Sequence, residues 1–305
     1  MHSHSRTHSG GISGKLLITF LINLTVTIIQ VIGSVMAGSV ALLSDALHNL
    51  SDSSTILISW IAGKLTRRST TKNETFGYKR AEIVAAFFNA SLLLVIGIFL
   101  IIEAADKIRN REYLDVKPGI VIALACLGIV ANGASAMILK KDSTGSMNIR
   151  SSYIHLFIDM LSSVAVLAGG LVIYFFDFYL LDPVLSIIIA VYLILLSWKL
   201  VLQSLKVLMQ FTPEGIDIDE IARKLSGSPD IRNIHHIHAW QLNDHDIYFE
   251  AHVEFRKDLR ISESCLLLEE MRLVLEKEYN IRHVTFQSEF EIPCDKALIN
   301  QEKPH

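Results

Sequence analysis

Cysteine is scarce in this chain and forms no pattern. Cys126, Cys265 and Cys294 are the only ones, with no CxxC pair and no framework for disulfides. Cys126 lies in an apolar run and is expected as a small core residue. There is no excess of basic residues either: the formal net charge is −3, and no nucleic-acid partner is expected. A cleaved signal peptide is not expected, because the polar leader runs directly into an apolar segment of full length.

What the chain does have is apolar length. Hydrophobic residues make up 51% of its 305 positions, and the mean hydropathy is +0.40. That is too apolar for a soluble protein with so many uninterrupted runs. Six runs, at 15–36, 39–63, 81–105, 117–139, 151–176 and 183–205, each reach the length of about 20 residues that a bilayer core requires. The fold expected is therefore an α-helical membrane protein with six transmembrane helices, followed by a small α+β domain. Residues 1–210 carry 12 acidic and 17 basic residues, a net of +5, whereas 211–305 carry 19 and 11, a net of −8. This charge division separates a membrane domain over 15–208 from a soluble domain over 209–292 and a tail over 293–305. The leader 1–14 holds His2, His4 and His8 among Ser and Gly and reads as disordered.

Two membrane segments contain the same polar pattern. LLSDALHNLSD sets His48 four residues before Asp52, and SSYIHLFIDMLSS sets His155 four before Asp159. At that spacing each pair shares one helix face. Ionisable groups are costly in hydrocarbon, so they face the bundle interior and commonly mark an ion path. One histidine or one aspartate in a membrane helix could be a structural polar contact; two identical pairs supply enough ligands for one tetrahedral divalent metal. Asp45, one turn before His48, is expected either to orient that imidazole or to serve as a polar contact in the bundle.

Short loops set the orientation. Lys64, Arg67, Arg68, Lys72, Lys79 and Arg80 follow segment two, and Lys140, Lys141 and Arg150 lie between segments four and five. The loops after segments one and five have no Lys or Arg. The loop after segment three is the exception, with Lys107, Arg109, Arg111 and Lys117 partly balanced by Asp106, Glu112 and Asp115. On balance the basic loops put both termini in the cytoplasm, and a bacterial inner membrane is the expected location. Asp52 then lies about 18 Å above Lys64, and Asp159 about 14 Å above Arg150, at 1.5 Å per residue. The two pairs sit at similar depth in antiparallel helices and are able to share one ion.

After Gln210 the pattern becomes that of a soluble domain. Residues 217–226 and 262–278 read as helices, the second capped by Ser262, and 231–240, 246–255 and 281–290 as strands. The order αββαβ suits a small ferredoxin-like sandwich. Asp182-Pro183 reads as a cap and first position of the sixth span.

GSVALLSDALHNLSD, ETFGYKRAEIVAAFFNA, the second HxxxD, HHIHAW and HVTFQSE together resemble the cation diffusion facilitators, over about residues 14–291. The zinc/cadmium/cobalt efflux branch is the nearest likeness. The resemblance implies a homodimer in the lipid bilayer, with a cytoplasmic ferredoxin-like domain, that exchanges a divalent cation for protons. It implies that His48, Asp52, His155 and Asp159 form the transport site, in the composition associated with Zn2+, with Cd2+ or Co2+ as further substrates. It also implies a regulatory metal site at His235, His252 and Glu289, with His283 nearby; Cys294 is a further candidate ligand by residue type alone. His236, His238 and His245 make the same segment simply His-rich, so solvated histidines are the other reading. The family's loop histidines beside FG are replaced by Glu74 and Tyr78, so that loop reads as structural. The KKDSTGSMNIR link also lacks the His-rich insertion of eukaryotic relatives, which favours a bacterial-type protein.

Two other readings compete with a carrier. A membrane metal sensor would bind without moving ions. An intramembrane metalloprotease would need a general base such as the Glu of HExxH, and neither pair has Glu next to its first histidine. No enzyme activity is expected.

Overall fold

A computed structural model describes residues 9–66, 68–140, 147–243, 246–293 and 296–299 of the chain. It forms two compact units, one from residues up to Ile61 and Ala85–Val201, the other from Ala62–Val84 and the residues from Leu202 onward.

Six long helices make up the first part of the chain: α1 (Ser9–Ala37), α2 (Val40–Thr66), α3 (Ala81–Asn110), α4 (Pro118–Lys140), α5 (Met147–Phe176) and α6 (Leu181–Leu208). Helix α1 begins at Ser9, inside the leader expected to lack structure, while His2, His4 and His8 lie outside the described residues. Among the described residues, five helices are long and apolar enough to cross a membrane, and α2, which carries the polar cluster, is the least apolar of the six.

The unit is apolar outside and polar within. Val35, Met137, Phe176 and Leu195 are exposed, whereas Gln30, Ser34, Asp45, Ser135 and Ser163 are buried. A bilayer rewards that arrangement, since polar groups find hydrogen bonds only inside the bundle. Cys126 follows the same rule in reverse: it is exposed on the outer face of α4, not in the core.

Apolar clusters hold the helices together, the smallest of them Ala136, Leu139 and Leu156. One joins Ala37, Leu42, Val121, Ala125, Val166 and Ile173. Another joins Val40, Leu100, Ala104, Ala190 and Leu193. Between them, α4 comes close to its neighbours at Gly128, where a Cβ would stand 2.5 Å from Gln30 Nε2 and 3.0 Å from Ser163 Oγ. Small residues allow membrane helices to approach in this way. Gly128→Leu is therefore expected to destabilise the bundle by about 1–3 kcal/mol through overpacking. Thermal unfolding of the detergent-purified protein checks this, and an unchanged midpoint would mean the helices separate without cost.

The N-terminus of α2 is held from a distance. Asp182 accepts hydrogen bonds from the Ser39 hydroxyl and, at 2.8 Å, from the Val40 amide. Lys107 donates to the Gly38 carbonyl at 2.8 Å, and Gly38 has a φ of 65°, which glycine adopts without strain. Asp182 was expected to cap α6, but it lies within the first turn of α6 and spends its carboxylate on α2 instead. The positive end of the α2 dipole attracts it.

The second unit contains α7 (Ile218–Leu225), β1 (Ile231–Gln241), β2 (Ile247–Phe255), α8 (Ile261–Tyr279) and β3 (His283–Glu289). Strand β1 pairs antiparallel with β2, and β2 pairs parallel with β3. Ile221 and Leu225 of α7 and Met271 and Leu275 of α8 pack with Phe249, Ala251 and Val253 in one core. Asp217 caps α7 by accepting from the Glu220 amide at 3.1 Å. Helix α8 starts one residue before Ser262, and its cap is made by Glu263, which reaches back to the Arg260 amide at 3.0 Å.

The α2–α3 connection belongs to this unit. Lys79 Nζ lies 2.8 Å from Asp246 Oδ2, and the Phe76 ring meets Tyr248 edge-on at 5.6 Å. Their mutual hydrogen bond raises the pKa of Lys79 and lowers that of Asp246. Tyr248 is also stacked between Trp240 and His283.

Candidate metal centre

Helices α2 and α5 bring both HxxxD pairs to one place. His48 Nε2 lies 3.4 Å from Asp52 Oδ2 and 3.9 Å from Asp159 Oδ1. His155 Nε2 lies 3.2 Å from Asp52 Oδ2 and 3.6 Å from Asp159 Oδ2. Four ligand atoms at tetrahedral positions on a metal with bonds of 2.0–2.1 Å stand about 3.3 Å apart. The observed separations surround that value, but only the ligand atoms of His48, Asp52 and Asp159 all lie within 4.8 Å of one another; His155 joins them through the two carboxylates. Asp52 Oδ2 and Asp159 Oδ1 are buried and face imidazole nitrogens at 3.2–3.9 Å, without a well-aligned hydrogen-bond donor among the described residues. With both imidazoles neutral the cluster carries two negative charges, which a divalent cation would balance. The His155 side chain is 44% exposed and that of Asp159 only 5%, so the cluster is reached past His155.

Asp45 does not point its carboxylate at the His48 imidazole. It accepts from Ser162 Oγ at 2.6 Å and Ser163 Oγ at 3.0 Å, both on α5. This tie fixes the register of the two ligand-bearing helices, one turn from the cluster. Ser162 and Ser163 carried no signal in the sequence, because serine is common in membrane helices and only the partner reveals its use.

A second cluster lies in the C-terminal unit. The strand register pairs His235 directly with His252. His235 Nε2 lies 3.2 Å from Glu289 Oε2, and His252 Nδ1 lies 2.8 Å from Glu289 Oε1. His235 and Glu289 are buried. Burial pushes the His235 pKa down, and the nearby Glu289 charge opposes this only in part. A neutral imidazole keeps a lone pair for a metal. Two nitrogens and a carboxylate fit the donor set of zinc, with a fourth position left to another ligand.

Other expected participants lie elsewhere. His283 stacks on Tyr248 at the opposite end of β3 from Glu289. Cys294 and His245 fall outside the described residues. His236, by contrast, stays beside the cluster, its ring stacked on that of His252 with centroids 4.6 Å apart, and its Nε2 lies 3.4 Å from that of His238. Two further residues flank the cluster without any sequence signal: Glu254, which is buried, and Lys296.

Comparison with known proteins accounts for both units. Residues 16–209 match the family described as cation efflux transmembrane domain, and residues 213–291 match the cation efflux protein, cytoplasmic domain. The chain is 36% identical over 300 residues to the cadmium, cobalt and zinc/H(+)-K(+) antiporter of Bacillus subtilis, covering 97% of this chain and 96% of that protein. It is 32% identical over 294 residues to the metal cation efflux system protein CzcD of Cupriavidus metallidurans, covering 96% and 92%. It is also 32% identical over 299 residues to the zinc transporter ZitB of Escherichia coli, covering 96% and 93%.

Proposed function

This chain belongs to the cation efflux family, and from that premise we propose that it exports Zn2+ from the cytoplasm in exchange for protons, with Cd2+ and Co2+ as further substrates. It is a multi-pass membrane protein of a transporter family and not an enzyme. What supports the proposal is the grouping of His48, Asp52 and Asp159, with His155 against the same two carboxylates, between α2 and α5.

The chemistry follows from charge. Two carboxylates and two imidazoles hold a divalent cation, and each of the four also accepts a proton. Proton and metal compete for the same lone pairs, so protons arriving from outside displace the ion. Alternating access then needs only that α2 and α5 open the cluster first to the cytoplasm and then to the outside, where protons release the ion. Asp45 with Ser162 and Ser163 keeps the two half-sites in register while they move.

The C-terminal domain acts in the cytoplasm as the homodimer contact, and His235, His252 and Glu289 bind a regulatory metal there. The basic loops after segments two and four favour cytoplasmic termini in the inner membrane. Domain limits at 15–208 and 209–292, with a tail over 293–305, are proposed on the same basis.

Reconstitution into proteoliposomes tests the function. An imposed proton gradient is expected to drive Zn2+ across the membrane, with movement of Cd2+ and Co2+ measured alongside and potassium varied separately. Metal binding without flux would leave a sensor instead of a carrier, and cleavage of an added membrane peptide would point to the protease.

A further inference from the structure

We propose that Lys296 is a tethered cation that sets the metal affinity of the His235/His252/Glu289 cluster, and that metal entry displaces it together with the short segment that carries it. The inference rests on the metal-binding reading of that cluster.

Strand β1 is at the sheet edge, with β2 on one side only. Residues 296–298 lie along its other side. The His236 amide donates to the Ala297 carbonyl at 3.2 Å, and the Ile237 amide donates to the Leu298 carbonyl at 2.9 Å. Asn233 Nδ2 adds a longer contact of 3.4 Å to the Lys296 carbonyl. Successive amides of a regular strand point to opposite sides, so two neighbours serving one edge require a distortion. The distortion is present: the β1–β2 register shifts between His235 and His238, and His236 has a φ of 51°. Positive φ is costly for a residue with a side chain. The bulge thus presents two consecutive donors to the added segment.

This pairing delivers an ammonium group to the cluster. Lys296 Nζ lies 3.4 Å from Glu254 Oε2 and 3.6 Å from Glu289 Oε2. Both carboxylates are buried, and Glu289 is the one that approaches both histidines. Buried anions need compensation, and Lys296 supplies it alongside Arg232, whose Nη1 is 3.6 Å from Glu254 Oε1. A divalent ion held by Glu289 and the two imidazoles would put two like charges against the ammonium at close range. The metal and Lys296 therefore compete for one carboxylate. Lys296 is one residue from the Ala297 hydrogen bond, so its withdrawal pulls on the pairing at the bulge.

The test uses the full chain carrying Asp52→Asn and Asp159→Asn, so that the membrane cluster does not mask the other. Equilibrium dialysis with radioactive zinc is expected to show Lys296→Gln binding about tenfold more tightly than this parent, from removal of the competing charge. Lys296→Arg, which keeps the charge, should stay near the parent. Amide hydrogen exchange should show that zinc speeds exchange at His236 and Ile237 in the parent. Unchanged affinity in Lys296→Gln, or unchanged exchange at those amides, would overturn the proposal while leaving the site itself intact. If His235→Ala binds zinc as the parent does, the metal-binding reading fails, and this one with it.

Discussion

Asp52→Asn or Asp159→Asn abolishes zinc transport in proteoliposomes, while the protein still inserts and dimerises. The asparagine amide has the size of the carboxylate but not its charge, so packing between α2 and α5 survives. Each carboxylate stands within 4 Å of both histidines in the cluster, and no neighbouring acid replaces it, because Asp45 is engaged by Ser162 and Ser163. Loss of a supporting contact alone costs metal sites about 10–100-fold in affinity. Loss of a charged ligand should exceed that and bring flux to background. Size-exclusion chromatography with light scattering establishes that the dimer remains, and zinc flux near the wild-type rate in both variants would remove the proposed site.

The second large effect concerns the C-terminal domain. A fragment over 211–305, which contains the whole core of α7, α8 and the sheet, is expected to melt at least about 10 °C higher with Zn2+ at a hundredfold excess over Kd. That shift reflects the roughly 2.7 kcal/mol that such an excess of a ligand selective for the folded form supplies. His235→Ala with His252→Ala removes two of three donors and should erase the gain, leaving the apo fragment folded on its own apolar core. In the intact protein the same pair should move the zinc concentration for half-maximal flux without abolishing transport. Calorimetry that finds no zinc-dependent shift in the wild-type fragment would reduce this domain to a dimer contact.

The membrane helices were legible in the sequence because a bilayer demands long apolar runs and little else. All six lie where those runs are, with ends differing by only a few residues except at α1. The doubled HxxxD pattern pointed to the cluster for a related reason: polar residues in such runs are conspicuous. Which face a residue takes was less legible. Cys126 sits in a helix so uniformly apolar that no periodicity separates inside from outside, and it faces outward. Partners far apart in sequence left no trace either. Asp182 reaches the start of α2 across 142 residues, and nothing near it signals the contact. The His235–His252 pairing needed the strand register, which alternation does not supply, and the β1 bulge offsets the register further. Lys296 lies in a stretch without periodicity, so its place beside Glu254 and Glu289 emerges only from the folded edge of the sheet.

Helix α2 also has a consequence for how the protein is made. Ser44, Asp45, His48, Asn49, Ser51 and Asp52 crowd its first half, and it is the least apolar of the six long helices. Each aspartate near a helix centre costs about 2.5–3.5 kcal/mol when a lone segment leaves the translocon for lipid. A segment with that penalty does not partition by itself. Only Gly38 and Ser39 separate it from strongly apolar α1, so the two must leave the translocon as one hairpin. Biogenesis therefore depends on α1 as a chaperoning partner: substitutions that lower the hydrophobicity of α1 should strand α2 outside the bilayer and lose the transporter at synthesis, before any ion has been bound.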